Sequence, residues 1–203
     1  MRSVLAALRG WAGIGNEHVT HAEKWISTVG GLTGILCVVL ISQSQLGLVG
    51  SASIIASMGS SAVLLFAAPH GPLSQPWSVF GGHLVSAIVG VTCVKLIAAP
   101  MLAAAVAVAL AIGAMHYLRC IHPPGGATAL GAVVGGDALH QLGFQFVVTP
   151  VMLNAATILI VAMLFNAPFA WRRYPAAWSP ALNANMSRAN ASAGDALVEN
   201  ARE

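Results

Sequence analysis

Between Trp25 and Trp171 the chain carries only three Asp, Glu, Lys or Arg residues: Lys95, Arg119 and Asp137. A soluble domain places a charge at roughly every fourth position, so this stretch cannot supply the surface of a water-soluble fold. The overall balance agrees, at 57% hydrophobic and 7% charged residues with a mean hydropathy of +0.79. The remaining charges crowd into the two ends. This divides the chain into an N-terminal cytoplasmic or interfacial segment (1–24), a transmembrane domain (25–171) and a polar, disordered cytoplasmic tail (172–203). Within the first segment Val4, Leu5, Leu8, Trp11 and Ile14 fall on one helical face flanked by Arg2 and Arg9, which suits a short interfacial helix or a frayed terminus.

The apolar region reads as about six transmembrane helices, an all-α polytopic architecture with two helices short or broken. They cover about residues 25–43, 46–68, 79–97, 100–118, 123–135 and 144–169. The second is unusual because Ser51, Ser53, Ser57, Gly59, Ser60 and Ser61 make much of it small and polar. The fifth is short and opens with Pro123 and Pro124. A transmembrane helix cannot run unbroken through Pro123-Pro124-Gly125-Gly126. The backbone groups freed at membrane depth must be enclosed by protein or line a water-filled cavity. The break is therefore the first candidate for a functional position.

Six spans put both termini on one side. Arg2, Arg9 and Lys24 precede the first and Arg172 and Arg173 follow the last, so the positive-inside rule places both ends in the cytoplasm of an inner membrane. Arg119 then faces inward and Asp137 outward, with Lys95 a mild exception. Four spans would give the same sidedness. A shift of 66 residues superposes 56–90 on 122–156 and pairs Gly59 with Gly125. The order of features in the two halves admits an inverted three-plus-three repeat, a plan that places transport sites at the repeat interface.

The stretch His122-Pro123-Pro124-Gly125-Gly126-Ala127-Thr128-Ala129-Leu130 resembles the signature of the HPP family of integral membrane proteins. Ser57-Met58-Gly59-Ser60-Ser61-Ala62-Val63-Leu64-Leu65-Phe66 and Pro72-Leu73-Ser74-Gln75-Pro76-Trp77 also resemble stretches of that family. The likeness covers roughly residues 25–170. The family includes plastid and cyanobacterial nitrite transporters, so the resemblance implies a small membrane transporter or channel for an anion, with nitrite the leading substrate. Some relatives carry an added CBS domain, for which this chain has no room.

Residue chemistry points the same way. Prolines suit a helix's first turn, whose free N–H groups and positive dipole end attract anions. On this reading Pro123, Pro124, Gly125 and Gly126 leave amides open to a small anion, and His122 and Thr128 stand beside it. Gly59, Ser60 and Ser61 supply a second, hydroxyl-bearing helix start opposite. His122 can donate to the anion, carry its proton, or only cap the break. Arg119 and Lys95 are the pathway charges, each with an alternative as an interfacial or snorkelling residue. His83 and Asn154 are further polar groups inside spans, Asn154 suited to bonding between helices.

Cys37, Cys93 and Cys120 form no paired motif and read as small packing residues. No cofactor and no bound metal are expected. His116, Cys120 and His122 keep a transition-metal transporter open as an alternative, as is a non-catalytic membrane scaffold. Asp137 is the one acid of the apolar region, and no nucleophile stands with a base, so the chain does not read as an enzyme. The pI of about 9.1 rests on few groups and gives no case for nucleic acid. The expected partners are a small inorganic anion, the bilayer and further copies of the chain in a homo-oligomer.

Overall fold

The computed structural model describes residues 10–12 and 19–179, with the backbone alone for 45–51. The expected interfacial helix of residues 4–14 therefore lies almost wholly outside the described residues. All regular structure among the described residues is helical. We label the elements α1 (His21–Ala67), α2 (Pro76–Leu96), α3 (Pro100–Tyr117), α4 (Pro123–Val134), α5 (Asp137–His140) and α6 (Leu153–Asn166). Thr20 caps α1, its hydroxyl accepting the Glu23 N–H at 3.2 Å, as an N-cap threonine does. α2, α3 and α4 each open on a proline, which gives up no intrahelical bond there.

α1 holds the first two expected spans. A straight 47-residue helix would be about 70 Å long and separate Gly30 from Phe66 by about 54 Å. Yet the Phe66 ring lies against both Gly30 and Gly34, where an added Cβ would come within 2.5 and 2.7 Å of it. α1 is thus a hairpin of two arms, His21–Ser44 and Ala52–Ala67, and the reversal falls between them. Glycine at 30 and 34 is what lets the arms close. Phe165 of α6 packs edge-on to Phe66 at 5.7 Å and joins the third helix to this corner.

Four segments are long and apolar enough to cross a bilayer: His21–Ser44, Pro76–Leu96, Pro100–Tyr117 and Val147–Asn166. The two short helices are the second arm of α1, about 24 Å long, and α4, about 18 Å. Neither matches a hydrocarbon core of about 30 Å. They lie side by side and run antiparallel, for Ser53 meets Gly131 at one end and Ser61 meets His122 at the other. That antiparallel crossing fits the inverted order of the two halves. It also corrects one expectation: the two helix starts do not face each other across a pocket but lie at opposite ends of the pair.

α2 and α4 cross closely along a small-residue stripe. A Cβ on Gly82 would stand 2.6 Å from His122 Cβ, and one on Gly90 would stand 2.7 Å from the Ala129 carbonyl. A Cβ on Gly125 would lie 2.8 Å from Ser86 Oγ and 2.9 Å from the Gly82 carbonyl. Gly82, Ser86 and Gly90 repeat every fourth residue, the spacing that lets membrane helices approach. The last span is also interrupted, since Thr149 is extended (φ −132°, ψ 110°) before Pro150. Proline has no N–H to continue the ladder there.

A disordered tail is expected from residue 172, but its first eight residues are ordered. Residues 172–179 are packed on the domain, and 180–203 lie outside the described residues. Buried Arg172 pairs with Glu23, donates to Ser27 Oγ (3.2 Å) and Asn166 Oδ1 (3.1 Å), and reaches the Phe66 carbonyl at 2.6 Å. Burial pulls its guanidinium below the ordinary arginine value, against the opposing pull of Glu23. Buried Tyr174 donates to the Ser74 carbonyl at 2.6 Å. These aromatic and cationic groups were legible only as an interfacial end, because most of their partners lie 100 to 149 residues away in sequence.

Candidate functional site

The apolar interior encloses one continuous chain of uncharged polar side chains. Ser61 Oγ lies 2.8 Å from His83 Nε2 and 2.9 Å from His122 Nε2. His83 Nδ1 lies 2.7 Å from Thr128 Oγ1, which is 2.6 Å from Ser57 Oγ. His122 Nδ1 is 2.8 Å from the Leu73 carbonyl. Ser57, Ser61, His83 and His122 are essentially without exposure and Thr128 keeps 4%. A buried polar network of this kind is stable only if every member finds a partner, and here each does.

Each element brings its member for a local reason. Ser57 and Ser61 sit four apart on the inner face of the second arm of α1, one helical turn from each other. His83 follows Gly81 and Gly82, whose missing side chains admit the Cys120 to His122 backbone. His122 is the N-cap residue of α4, extended at φ −143° and ψ 102°, and Thr128 lies on the α4 face toward α2. The loop before α2 is stiffened from within. Ser74 Oγ donates to the Ala68 carbonyl at 2.7 Å with the Leu64 carbonyl 3.1 Å away, and Gln75 Nε2 donates to the carbonyls of Pro69 and Gly71. Tyr174 and the Ala176 amide hold it from the tail side, so the Leu73 carbonyl is fixed where it meets His122.

Proton placement follows from one fixed point. A carbonyl only accepts, so His122 Nδ1 carries the hydrogen that meets Leu73. In neutral His122 the Nε2 is then a bare acceptor and Ser61 donates to it. Ser61 must accept from His83 Nε2–H. His83 Nδ1 accepts from Thr128, and Thr128 accepts from Ser57. Every hydroxyl points the same way along the chain.

The expected residues divide as follows. His122, Thr128 and Ser61 are brought together in this network. Pro124 takes part through its carbonyl, which lies 3.3 Å from Ser57 Oγ and 3.4 Å from Thr128 Oγ1. Three of the amide positions expected to be open at the start of α4 are not: Pro123 and Pro124 have no N–H, and the Gly125 N–H is spent on the His122 carbonyl at 2.8 Å. Gly125 is instead the contact point of the α2–α4 crossing. Gly126 and Pro123 line an apolar surface groove of about 490 Å³ between α3 and α4 with Val108, Ile112 and Leu130.

Gly59 and Ser60 also fall outside the network. Gly59 borders a groove between the two arms of α1, and exposed Ser60 bonds back to the Ala56 carbonyl. Helical geometry explains this, since residues 59 and 60 stand off the face shared by 57 and 61. Arg119 and Lys95 are exposed at opposite ends of the domain. Arg119 holds a left-handed backbone (φ 53°) in the turn between α3 and α4. The Lys95 ammonium stands 5.8 Å over the Phe144 ring, and with His140, Gly143 and Phe146 it borders a crevice at its end of the bundle.

Two members of the network, His83 and Ser57, were not among the expected site residues. His83 carried a usable signal, as a lone imidazole in an apolar span. Nothing local linked it to its partners Ser61 and Thr128, 22 and 45 residues away. Next to Thr128 lies a crevice bordered by Ser53, Ile54, Gly131, Phe146 and Val151, too narrow to hold a water molecule. Ser53 Oγ is enclosed there without a hydrogen-bond partner. Asn154 does tie helices together, donating to Ser42 Oγ at 2.8 Å, while its Oδ1 is also unpartnered. No group of three His, Cys, Asp or Glu side chains converges among the described residues.

Comparison with known proteins agrees with this architecture. The model of the family described as HPP, transmembrane region, matches residues 16–175. Two Dictyostelium discoideum proteins, both described as transmembrane proteins, are similar to the chain. One is 38% identical over 159 residues, which is 76% of this chain and 50% of the relative. The other is 33% identical over 186 residues, 86% of this chain and 64% of the relative. The chain thus spans between half and two thirds of these relatives' lengths. No solved structure matches. With the family model covering the two-arm hairpin, the His122 break and the closing tail alike, the chain is an integral membrane protein that belongs to the HPP transmembrane family.

Proposed function

We propose that this protein is a passage for a small anion, nitrite first, with the Ser57–Thr128–His83–Ser61–His122 chain as its inner recognition lining. The observation that carries this reading is a donor-rich, carboxylate-free polar network buried where two short antiparallel helices meet. Intramembrane polar groups of this kind mark substrate pathways, and a small anion needs donors without a competing negative charge. Nitrite is favoured because the family includes plastid and cyanobacterial nitrite transporters.

The crevice bordered by Ile54, Phe146 and Val151 has no room for water, and on this reading passage requires it to open. Opening would separate the broken last span, already free of a regular ladder at Thr149, from the second arm of α1. Lys95 at one end and Arg119 at the other draw anions toward the mouths. The basic ends Lys24, Arg172 and Arg173 favour an inner-membrane protein with both termini in the cytoplasm. A transition-metal passage would want a third soft or imidazole ligand, whereas Cys120 is turned against Gly81.

The test is a panel of nitrite, nitrate, formate and chloride offered to liposomes holding the purified protein. Nitrite is expected to enter faster than chloride. Equal, protein-independent entry of all four would end the anion reading.

A further inference from the structure

The hydrogen-bond chain has a second self-consistent pattern, one proton richer than the first. With a proton added at His122, both of its nitrogens donate, Nδ1 to Leu73 and Nε2 to Ser61. Ser61 then turns its hydroxyl toward His83 Nε2, His83 donates from Nδ1 to Thr128, and Thr128 donates to the Pro124 carbonyl at 3.4 Å. Ser57 keeps its hydrogen in the 2.6 Å contact with Thr128, whose oxygen has lone pairs for both Ser57 and His83. An intermediate pattern puts the proton on His83, which then donates to both Ser61 and Thr128.

Only one ring can hold it at a time. The ring centroids are 4.9 Å apart, and two like charges at that distance in an enclosed site repel strongly. No carboxylate, lysine or arginine faces either ring among the described residues. The other titratable groups close by are Cys120, packed on Gly81 and Gly82, and Tyr174, bonded to the Ser74 carbonyl. The Leu73 end is a dead end, because a carbonyl cannot pass a proton on. The chain therefore loads and unloads at its Thr128 end, beside the crevice where Ser53 Oγ stands unpartnered.

We propose that His83 and His122, coupled through Ser61, form a one-proton store that accompanies each anion through the protein, making transport an electroneutral proton–anion symport. This rests on the anion reading above for the identity of the companion. In loading, a hydronium ion gives its proton at the Ser57–Thr128 end and becomes water. Thr128 passes its own hydroxyl hydrogen to His83 Nδ1, His83 passes its Nε2 hydrogen to Ser61, and Ser61 passes its hydroxyl hydrogen to His122 Nε2. One proton is gained and no other bond is lost. Unloading is the reverse. The stored positive charge is what an uncharged lining otherwise lacks for holding an anion in the membrane interior.

The experiment combines 15N NMR of histidine-labelled protein in lipid nanodiscs with flux in liposomes. His83→Gln and His122→Gln assign the two signals. At neutral pH the rings are expected in opposite tautomers, Nε2–H for His83 and Nδ1–H for His122. On acidification they are expected to titrate as one coupled group taking a single proton. In liposomes containing a pH-sensitive dye, nitrite entry is expected to bring one proton per anion and to be unaffected by clamping the voltage. His83→Gln is expected to reduce that proton count to zero. Two independent protonations, identical tautomers, or nitrite entry that carries net charge would each overturn the proposal. A coupled single protonation with no nitrite flux would remove the anion reading and leave the proton store standing.

Discussion

His83 and His122 aim their Nε2 atoms at one hydroxyl, that of Ser61, at 2.8 and 2.9 Å. The two imidazoles come from helices 39 positions apart in sequence, and a serine from a third helix is their common partner. The hydroxyl has one hydrogen and two lone pairs, so it can accept from one ring while donating to the other. Any change at Ser61 is felt by both histidines together.

Ser61→Ala leaves two ring nitrogens buried without a partner. Each buried unsatisfied group costs about 1–3 kcal/mol. The expected outcome is a clear fall in the unfolding temperature in detergent, together with loss of transport. Ser60→Ala, one residue away on an exposed face, should change neither. Thermal unfolding of the two purified variants checks this directly.

The glycines divide into those that packing requires and those that it does not. Gly82→Ala and Gly125→Ala each force a Cβ to within 3 Å of atoms that cannot swing away. Overpacking of this kind costs about 1–3 kcal/mol. Gly126→Ala meets nothing closer than Val108 Cγ1 at 4.0 Å and should fold as the parent does. Expression level and unfolding temperature of the three variants separate the two cases.

Arg172 closes the bundle end by tying the tail to Glu23, Ser27, Phe66 and Asn166. Arg172→Met leaves Glu23 unpaired and the Phe66 and Asn166 acceptors unmet, a loss of about 3 kcal/mol by analogy with broken buried pairs. Glu23→Gln keeps a hydrogen-bond acceptor and should cost less, about 1 kcal/mol. Limited proteolysis should cut the tail near Tyr174 faster in Arg172→Met than in Glu23→Gln. If both resist cleavage like the parent, the tail does not depend on this cluster.

Much of the architecture was legible because it follows from one-dimensional patterns. The nearly charge-free stretch, the prolines opening α3 and α4, and the polar second arm of α1 all announce themselves locally, whereas α2 starts at Pro76, three residues before the expected span. The site was legible only in part. His122, Thr128 and Ser61 could be read from the break and the serine cluster, but His83 could not be assigned to them, because its partners lie in other helices. Of the amides expected from Pro123 to Gly126, the first three failed for a reason available in the sequence. Two prolines remove two of the donors that a helix start would offer, and the next is used in the first turn. The packed segment from Arg172 to Ser179 escaped because its short, Pro- and Ala-rich stretch carries no periodicity, and its anchors on Glu23, Phe66, Ser74 and Gln75 are distant in sequence.

The exposed cations should act on encounter and not on the fold. Lys95→Gln and Arg119→Gln are each expected to slow nitrite entry a few-fold at low salt, with the deficit shrinking as ionic strength rises, since steering of this kind is screened. Unfolding temperatures should be unchanged. Initial uptake rates across a salt series read the effect.

The central claim is that the buried hydroxyl–imidazole chain recognises the transported anion. Its most direct test is initial nitrite uptake into liposomes by the parent protein, Ser61→Ala, His122→Gln and Gly126→Ala, each first shown to be folded. The account predicts uptake by the parent and by Gly126→Ala, and a loss of at least about tenfold in Ser61→Ala and His122→Gln, equivalent to one lost interaction of about 1.4 kcal/mol. Folded Ser61→Ala and His122→Gln proteins that carry nitrite at the parental rate would contradict it.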